Sequence, residues 1–259
     1  MMKQRTNILL GAMAFLAILI AWWVVSSAEL ISPFLLPSPK TVMATAAEIF
    51  SDGTLYNNTL VSVRRLLIGY ALSVGLAVPI AFLFSASRYL RDAFSPVLEF
   101  MRQLPPLALM PLLILWLGIG ETQKVGIIVL ACFFPIFLGV TGGITQCDPR
   151  LIEVGQACGL SKVELIWRVV LPASLPSIVI GLRIALGYGW RALVGAELVA
   201  SSAGLGYMIV DAENLARTDI VLVGIVVIGC LGFTADLVIR RVIAISAPWL
   251  AARTELSHA

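Results

Sequence analysis

Long apolar runs separated by short polar segments set the frame of this chain. Six of them, at residues 8–25, 60–84, 105–119, 125–144, 177–200 and 220–243, follow one another between the termini. A helix needs about 20 apolar residues to cross a hydrocarbon core of roughly 30 Å. The pattern therefore predicts an all-α integral membrane protein with six transmembrane helices in a single domain over residues 1–259. The third run, LPPLALMPLLILWLGIG, is short and interrupted by Pro111, which predicts a tilted span or one partly covered by its neighbours. The first run follows Lys3 and Arg5 and precedes Ser26-Ser27-Ala28, a pattern that a secretory signal shares. Its 18 residues exceed a usual signal core and predict a retained span. Between the first two runs, Pro33, Pro37 and Pro39 hold the chain extended, and Ser38 caps a helix from about Pro39 to Phe50.

One polar insert, residues 148–172, breaks the apolar sequence. Asp148 fits an N-cap, with Pro149 in the first helical turn where its missing N–H costs nothing. Gly159 fits a left-handed close to that helix. Ser161 with Glu164 three residues on makes a capping-box pattern for a second helix. Pro172 and Pro176 are expected to stop it and open the next apolar run. The insert thus reads as a helix-turn-helix in water.

Composition agrees with a membrane protein: 59% of the residues are hydrophobic and 13% charged, and mean hydropathy is +0.98. The net charge of +3 is spread over loops without a basic block, which argues against nucleic acid as a partner. Cys132, Cys147, Cys158 and Cys230 show neither metal nor disulfide spacing. The single histidine, His258, is next to the C-terminus, so histidine catalysis and metal ligation are not expected.

With six spans and an inside N-terminus, the inner segments hold Lys3, Arg5, Arg88, Arg91, Arg102, Arg150, Lys162, Arg168, Arg240, Arg241 and Arg253. The outer ones hold Lys40, Arg64, Arg65, Lys124 and Arg217. Eleven cations against five place both termini and the insert in the cytoplasm. The fifth run holds Arg183, Arg191 and Glu197, and the sixth holds Asp236. Charges at such depth must be paired or wetted. At about 1.5 Å per residue, Arg183 and Asp236 lie at matching depth, which predicts a structural ion pair. Arg191 has no evident partner. Either it lines a translocation path for an anionic substrate, together with Trp190 and Glu197, or it pairs with Glu197 of a second subunit or a backbone carbonyl.

The insert resembles the EAA signature of permease subunits of bacterial ABC importers. Glu153-Val154-Gly155 stands for the acidic-small-small triplet, Gly159 follows after three residues, and Val169-Val170-Leu171-Pro172 after nine more. Val154 and Gly155 replace the usual alanines. ISPFLLPSPKTV, RQLPPLALMPLLILWLGIGETQK, LPASLPSIVIGLRIALGYGW and VGAELVASSAGLGYMI are similar to the taurine, aliphatic-sulfonate and nitrate branch, with the likeness covering Ile31 to Trp249. Arg191, after GYGW, departs from the small or neutral residue of that branch. The resemblance implies a type I ABC importer permease fold working as a homodimer. It implies two cytoplasmic ATPase subunits that bind ATP and Mg, and a periplasmic binding protein that delivers the substrate. It implies that Glu153, Val154, Gly155, Ala157, Gly159, Leu171 and Pro172 belong to the coupling helix and its connection. The substrate it implies first is taurine or another alkanesulfonate, and second nitrate or an aromatic or heterocyclic compound. No cofactor is expected in this chain, since GxxxxGK[ST] does not occur.

Two other classes compete. An intramembrane enzyme would need convergent catalytic groups, and Glu197 and Asp236 differ too much in depth for a carboxylate pair. A secondary transporter driven by an ion gradient would often show inverted repeats, and no internal repeat is evident.

Overall fold

The computed structural model describes residues 2–246 and is helical without strands over them; Arg253 and His258 lie outside the described residues, as do the side chains of Lys3 and Arg5. In chain order the helices are α1 (Met2–Ser27), α2 (Pro39–Ser51), α3 (Thr54–Ala86), α4 (Arg88–Met101), α5 (Met110–Leu117), α6 (Glu121–Thr145), α7 (Pro149–Ala157), α8 (Lys162–Leu165), α9 (Leu171–Val199), α10 (Leu205–Asn214) and α11 (Thr218–Ser246). Four continuous helices, namely α3, 162–199, α6 and α11, are long and apolar enough to cross a bilayer, and a bent pair formed by α4 with 106–117 makes up to five. The described apolar part of α1 is the shorter Met13–Ser27.

Three departures from the sequence pattern have local causes. Residues 105–119 do not form one straight span. A 3-10 turn at Pro106–Leu109 leads into the eight residues of α5, about 12 Å of helix, set at 86° to α4. Pro105 and Pro106 keep the preceding residues out of the α region, whereas Pro111 falls in the first turn of α5, where it is harmless. The segment carrying Arg88, Arg91 and Arg102 is not a loop. Ser87 accepts from the Leu90 N–H and opens an amphipathic helix that tolerates Pro96. Finally, Pro172 does not stop the second insert helix. A π turn over Ile166–Val170, closed by the Leu171 N–H on the Ile166 carbonyl, joins α8 to α9 in one helical path. Widening the turn at Arg168 makes room for the ring of Pro172, which would otherwise strike the carbonyl four residues back.

By its contacts the chain divides into two compact units. The first comprises the chain up to Leu60 with Ala203–Gly229, and the second Val61–Ser202 with the chain from Cys230 on. In the first, Ser38 caps α2 by accepting from the Thr41 N–H. Thr45 of α2 donates to Asp219 in the first turn of α11 at 2.8 Å, and Arg217 donates to the same carboxylate at 2.8 Å. The bond to Asp219 holds the Arg217 guanidinium above its ordinary pKa. The Asn58 side chain accepts from the Gly204 N–H at 2.8 Å.

The second unit is centred on α6 and α9. A Cβ on Gly139 would lie 2.8 Å from the Gly181 Cα, and one on Gly181 2.7 Å from the Pro135 carbonyl. Glycine is required where two backbones approach this closely. Around that crossing, Leu66, Ala77 and Ala81 of α3 pack with Ile128, Cys132, Ile136, Val140, Ala185 and Leu193. α3 turns Ser62, Arg65, Leu66, Gly69, Ser73, Ala77 and Ala81 inward, a stripe at helical spacing.

Candidate functional site: an interhelical cavity and the polar insert

The insert leaves α6 at Cys147, a buried thiol that burial, and then the Asp148 charge, push above its ordinary pKa. The Asp148 carboxylate accepts from the Arg150 N–H at 2.9 Å and starts α7. Gly159 adopts φ 76°, and the Leu160 N–H returns to the Gly155 carbonyl at 3.1 Å, a left-handed helix stop. Ser161 and Glu164 exchange the two bonds of a capping box, at 3.3 and 3.0 Å. Gly155 is buried, and a Cβ there would lie 2.5 Å from Leu165 Cδ1. The missing side chain of Gly155 thus lets α7 lie close on α8. Glu153, Ala157, Val154 and Trp167 stay exposed, the last two at 61% and 66%. Leu171 and Pro172 begin α9 directly after the π turn.

Beside the insert a cavity of about 610 Å³ opens along α9, within the roughly 300–1,000 Å³ of small-molecule sites. Ser177, Gly181, Ile184 and Tyr188 of α9 form one wall, Phe134 and Leu138 of α6 with Gln146 just after it another, and Arg102 and Gln103 line a third side. From Ser177 to Tyr188 the groove runs about 16 Å along the helix axis. Arg191 is the next residue on that stripe of α9. Its guanidinium carbon is 5.7 Å from the Tyr188 ring centroid, a cation–π contact.

Trp190 and Glu197 do not join Arg191. Trp190 packs toward α11, where a Cβ on Gly232 would lie 3.1 Å from its indole nitrogen. Glu197 is 1% exposed. It accepts from Arg65 at 2.7 Å and from Ser62 at 2.8 Å. Arg65, 3% exposed, also donates to Glu121 at 2.7 Å, and the Lys124 ammonium lies 3.6 Å from Glu121. A charge cluster, buried at Arg65, Lys124 and Glu197 and exposed at Glu121, therefore joins α3, α6 and α9. Sequence reading counted Arg65, near the start of the second run, and Lys124 among the outer cations and missed it. The signal was present, because Arg65 lies on the small-residue stripe of α3 and Arg64 does not. Arg183 and Asp236 are brought together: Arg183 Nε donates to Asp236 Oδ1 at 2.6 Å. Arg240, four residues after Asp236, shares its other oxygen at 2.7 Å, a partner that helical spacing alone could have suggested.

Comparison with known proteins places this architecture. The taurine transport system permease protein TauC of Escherichia coli (strain K12) is 36% identical over 253 residues, covering 96% of this chain and 91% of that protein. The putative aliphatic sulfonates transport permease protein SsuC of Bacillus subtilis (strain 168) is 34% identical, covering 92% of this chain and 86% of that one. The nitrate import permease protein NrtB of Synechocystis sp. (strain ATCC 27184 / PCC 6803 / Kazusa) is 26% identical, covering 87% and 84%. Among solved structures, a chain of an amino acid ABC transporter with histidines superposes with a TM-score of 0.60 at 15% identity, covering 78% of this chain and 94% of that one. A chain of the inward-facing MetNI methionine ABC transporter gives 0.57 at 17% identity, covering 70% and 92%. The helical fold is thus one found in ABC transporters. A family model described as the inner membrane component of binding-protein-dependent transport systems matches residues 69–244. The chain belongs to the family of inner membrane components of binding-protein-dependent transport systems, as a transport permease subunit.

Proposed function

We propose that this chain is the membrane-spanning subunit of an ATP-driven importer for a small organosulfonate, taurine first. The observation that carries the substrate class is the run of relatives named for taurine and aliphatic sulfonates, at 34–36% identity over most of the chain. The cavity supports it. Its aromatic and aliphatic wall suits an alkyl group, and Arg102, Gln103 and Gln146 suit an anionic head. Nitrate is the second reading, favoured by one relative at 26% identity. The apolar wall would give so small an anion little to contact.

In this reading α1, α3, the bent pair α4–α5, α6, α8–α9 and α11 supply six passages of a type I permease. Both termini and the insert lie in the cytoplasm, on the side with more lysine and arginine. Two copies enclose the path, and a periplasmic binding protein loads it from outside. Each copy docks one ATPase subunit, which binds ATP and Mg, on the exposed face of α7 around Glu153, Val154 and Ala157. Gly159, Leu171 and Pro172 carry the motion of α7 into α9, through the Gly159 turn and then α8, which the π turn joins to α9 without a loop. Tyr188 and Arg191 stand at the far end of the groove as an outer contact for an anion.

The test is ATP-dependent uptake of radiolabelled taurine by proteoliposomes holding the permease, its ATPase and its binding protein. Taurine accumulation that stops without ATP supports the proposal. Accumulation of nitrate but of no sulfonate would select the second reading, and uptake driven by an ion gradient without ATP would overturn both.

A further inference from the structure

A second chamber of about 360 Å³ adjoins the cavity. The two share a wall of Arg102, Phe134, Leu138, Gly142 and Gln146. The second is bounded on its other side by α4, whose Arg91, Ser95, Leu98 and Glu99 line it, followed by Arg102, with the three charged side chains exposed. These positions are spaced by four, three, one and three residues, so a single helix face presents two guanidinium groups and one carboxylate. Phe84 and Phe137 stand behind them, with ring centroids 5.5 Å apart.

Several arginines of the chain are already committed to carboxylates. Arg65, Arg183, Arg217 and Arg240 each hold a carboxylate at 2.5 to 2.8 Å. Among the described residues, Arg91, Glu99 and Arg102 form no ion pair, although they line one space. Opposite charges held apart around an opening match a molecule that carries both charges itself. A guanidinium binds the oxygens of a sulfonate through charge-assisted hydrogen bonds, and a carboxylate binds an ammonium. A short carbon chain between them would lie against Phe134 and Leu138. A simple anion would use the two arginines and be repelled by Glu99.

We propose that this chamber is a transit site for a zwitterionic aminoalkanesulfonate, in which Arg91 and Arg102 hold the sulfonate and Glu99 holds the ammonium. The inference rests on the organosulfonate reading above and narrows it from sulfonates in general to those bearing an amine.

The test is equilibrium binding of radiolabelled taurine to the permease–ATPase complex in nanodiscs without the binding protein, in competition with ethanesulfonate, which lacks the amine. Taurine is expected to compete about tenfold better than ethanesulfonate, the scale of one charge-assisted contact. Glu99→Gln removes that preference. Arg102→Gln weakens both ligands about tenfold, and Arg102→Lys restores part of the loss. The preference is a ratio within one preparation, so loss of folded complex lowers capacity without imitating the result. Glu99→Ser serves where Glu99→Gln does not assemble. An unchanged taurine preference in both Glu99 variants, in a complex that still imports taurine when its binding protein is supplied, overturns this inference alone. A wild-type complex that imports neither sulfonate overturns the organosulfonate reading with it.

Discussion

Arg65 and Glu197 meet where water scarcely reaches, and neither would be tolerated there alone. Arg65 is held by two carboxylates, Glu197 at 2.7 Å and Glu121 through both of its oxygens. Glu197 has Ser62 besides Arg65. This asymmetry sets the outcome of substitution. Arg65→Met leaves a buried carboxylate without its guanidinium and is expected to cost about 3–5 kcal/mol. Glu197→Gln keeps the hydrogen-bond geometry and leaves Arg65 on Glu121, so its cost should be smaller, about 1–2 kcal/mol. The double variant should be more stable than Arg65→Met alone, since the stranded charge is gone. Denaturant unfolding of the purified chain in detergent measures all three, and equal losses for the two single variants would contradict the account. At this scale the sequence was readable where both partners sit in one pair of neighbouring runs, as with Arg183 and Asp236. It failed for Arg65 and Glu197 because they are 132 positions apart, and no period within one helix links such residues.

Among the elements, the insert was the most readable. Its caps use local chemistry: Asp148, Gly159 and the Ser161–Glu164 box act within four residues of themselves, so spacing suffices to find them. What local chemistry could not reveal was the π turn, because proline normally ends a helix and the exception depends on widening a turn before it. The same limit hid α4, where Pro96 and three arginines resembled a loop, although amphipathic spacing was present. The insert's turn offers a sharp test of coupling. A Cβ on Gly159 would meet nothing within 4 Å, so only its φ of 76° restricts the position. A β-branched residue is strained there, whereas asparagine reaches that conformation readily. Gly159→Val should therefore uncouple ATP hydrolysis from uptake, while Gly159→Asn retains most of the coupling. The ratio of substrate imported to ATP hydrolysed in proteoliposomes reads this directly. Coupling equal to wild type in Gly159→Val would mean that the left-handed stop does not transmit motion.

For the whole molecule, sidedness is the property on which the proposed machine depends. Two of the five cations counted on the outer side, Arg65 and Lys124, are buried among carboxylates. The orientation rule counts cations by their place near the span ends, so the bias toward a cytoplasmic insert stays at eleven against five. The helix count was only partly readable, because α5 is too short to cross alone and its role depends on its 86° bend against α4. The chain carries its own reporter of sidedness. Cys158 is exposed at the end of α7, whereas Cys132 and Cys147 are buried, and Cys230 lies within the apolar helix α11. The Cys147 thiol is further guarded by its raised pKa, since the thiolate is the reactive form and little of it is present near neutral pH. A membrane-impermeant maleimide at pH 7 should label Cys158 in inverted vesicles and leave it unlabelled in right-side-out cells, with Cys158→Ser abolishing the signal. The site lies on the proposed docking helix, so assembly with the ATPase should slow the reaction about tenfold or more, as burial in an interface would. Labelling of Cys158 from the outside of intact cells would reverse the orientation and, with it, the assignment of α7 as the ATPase contact.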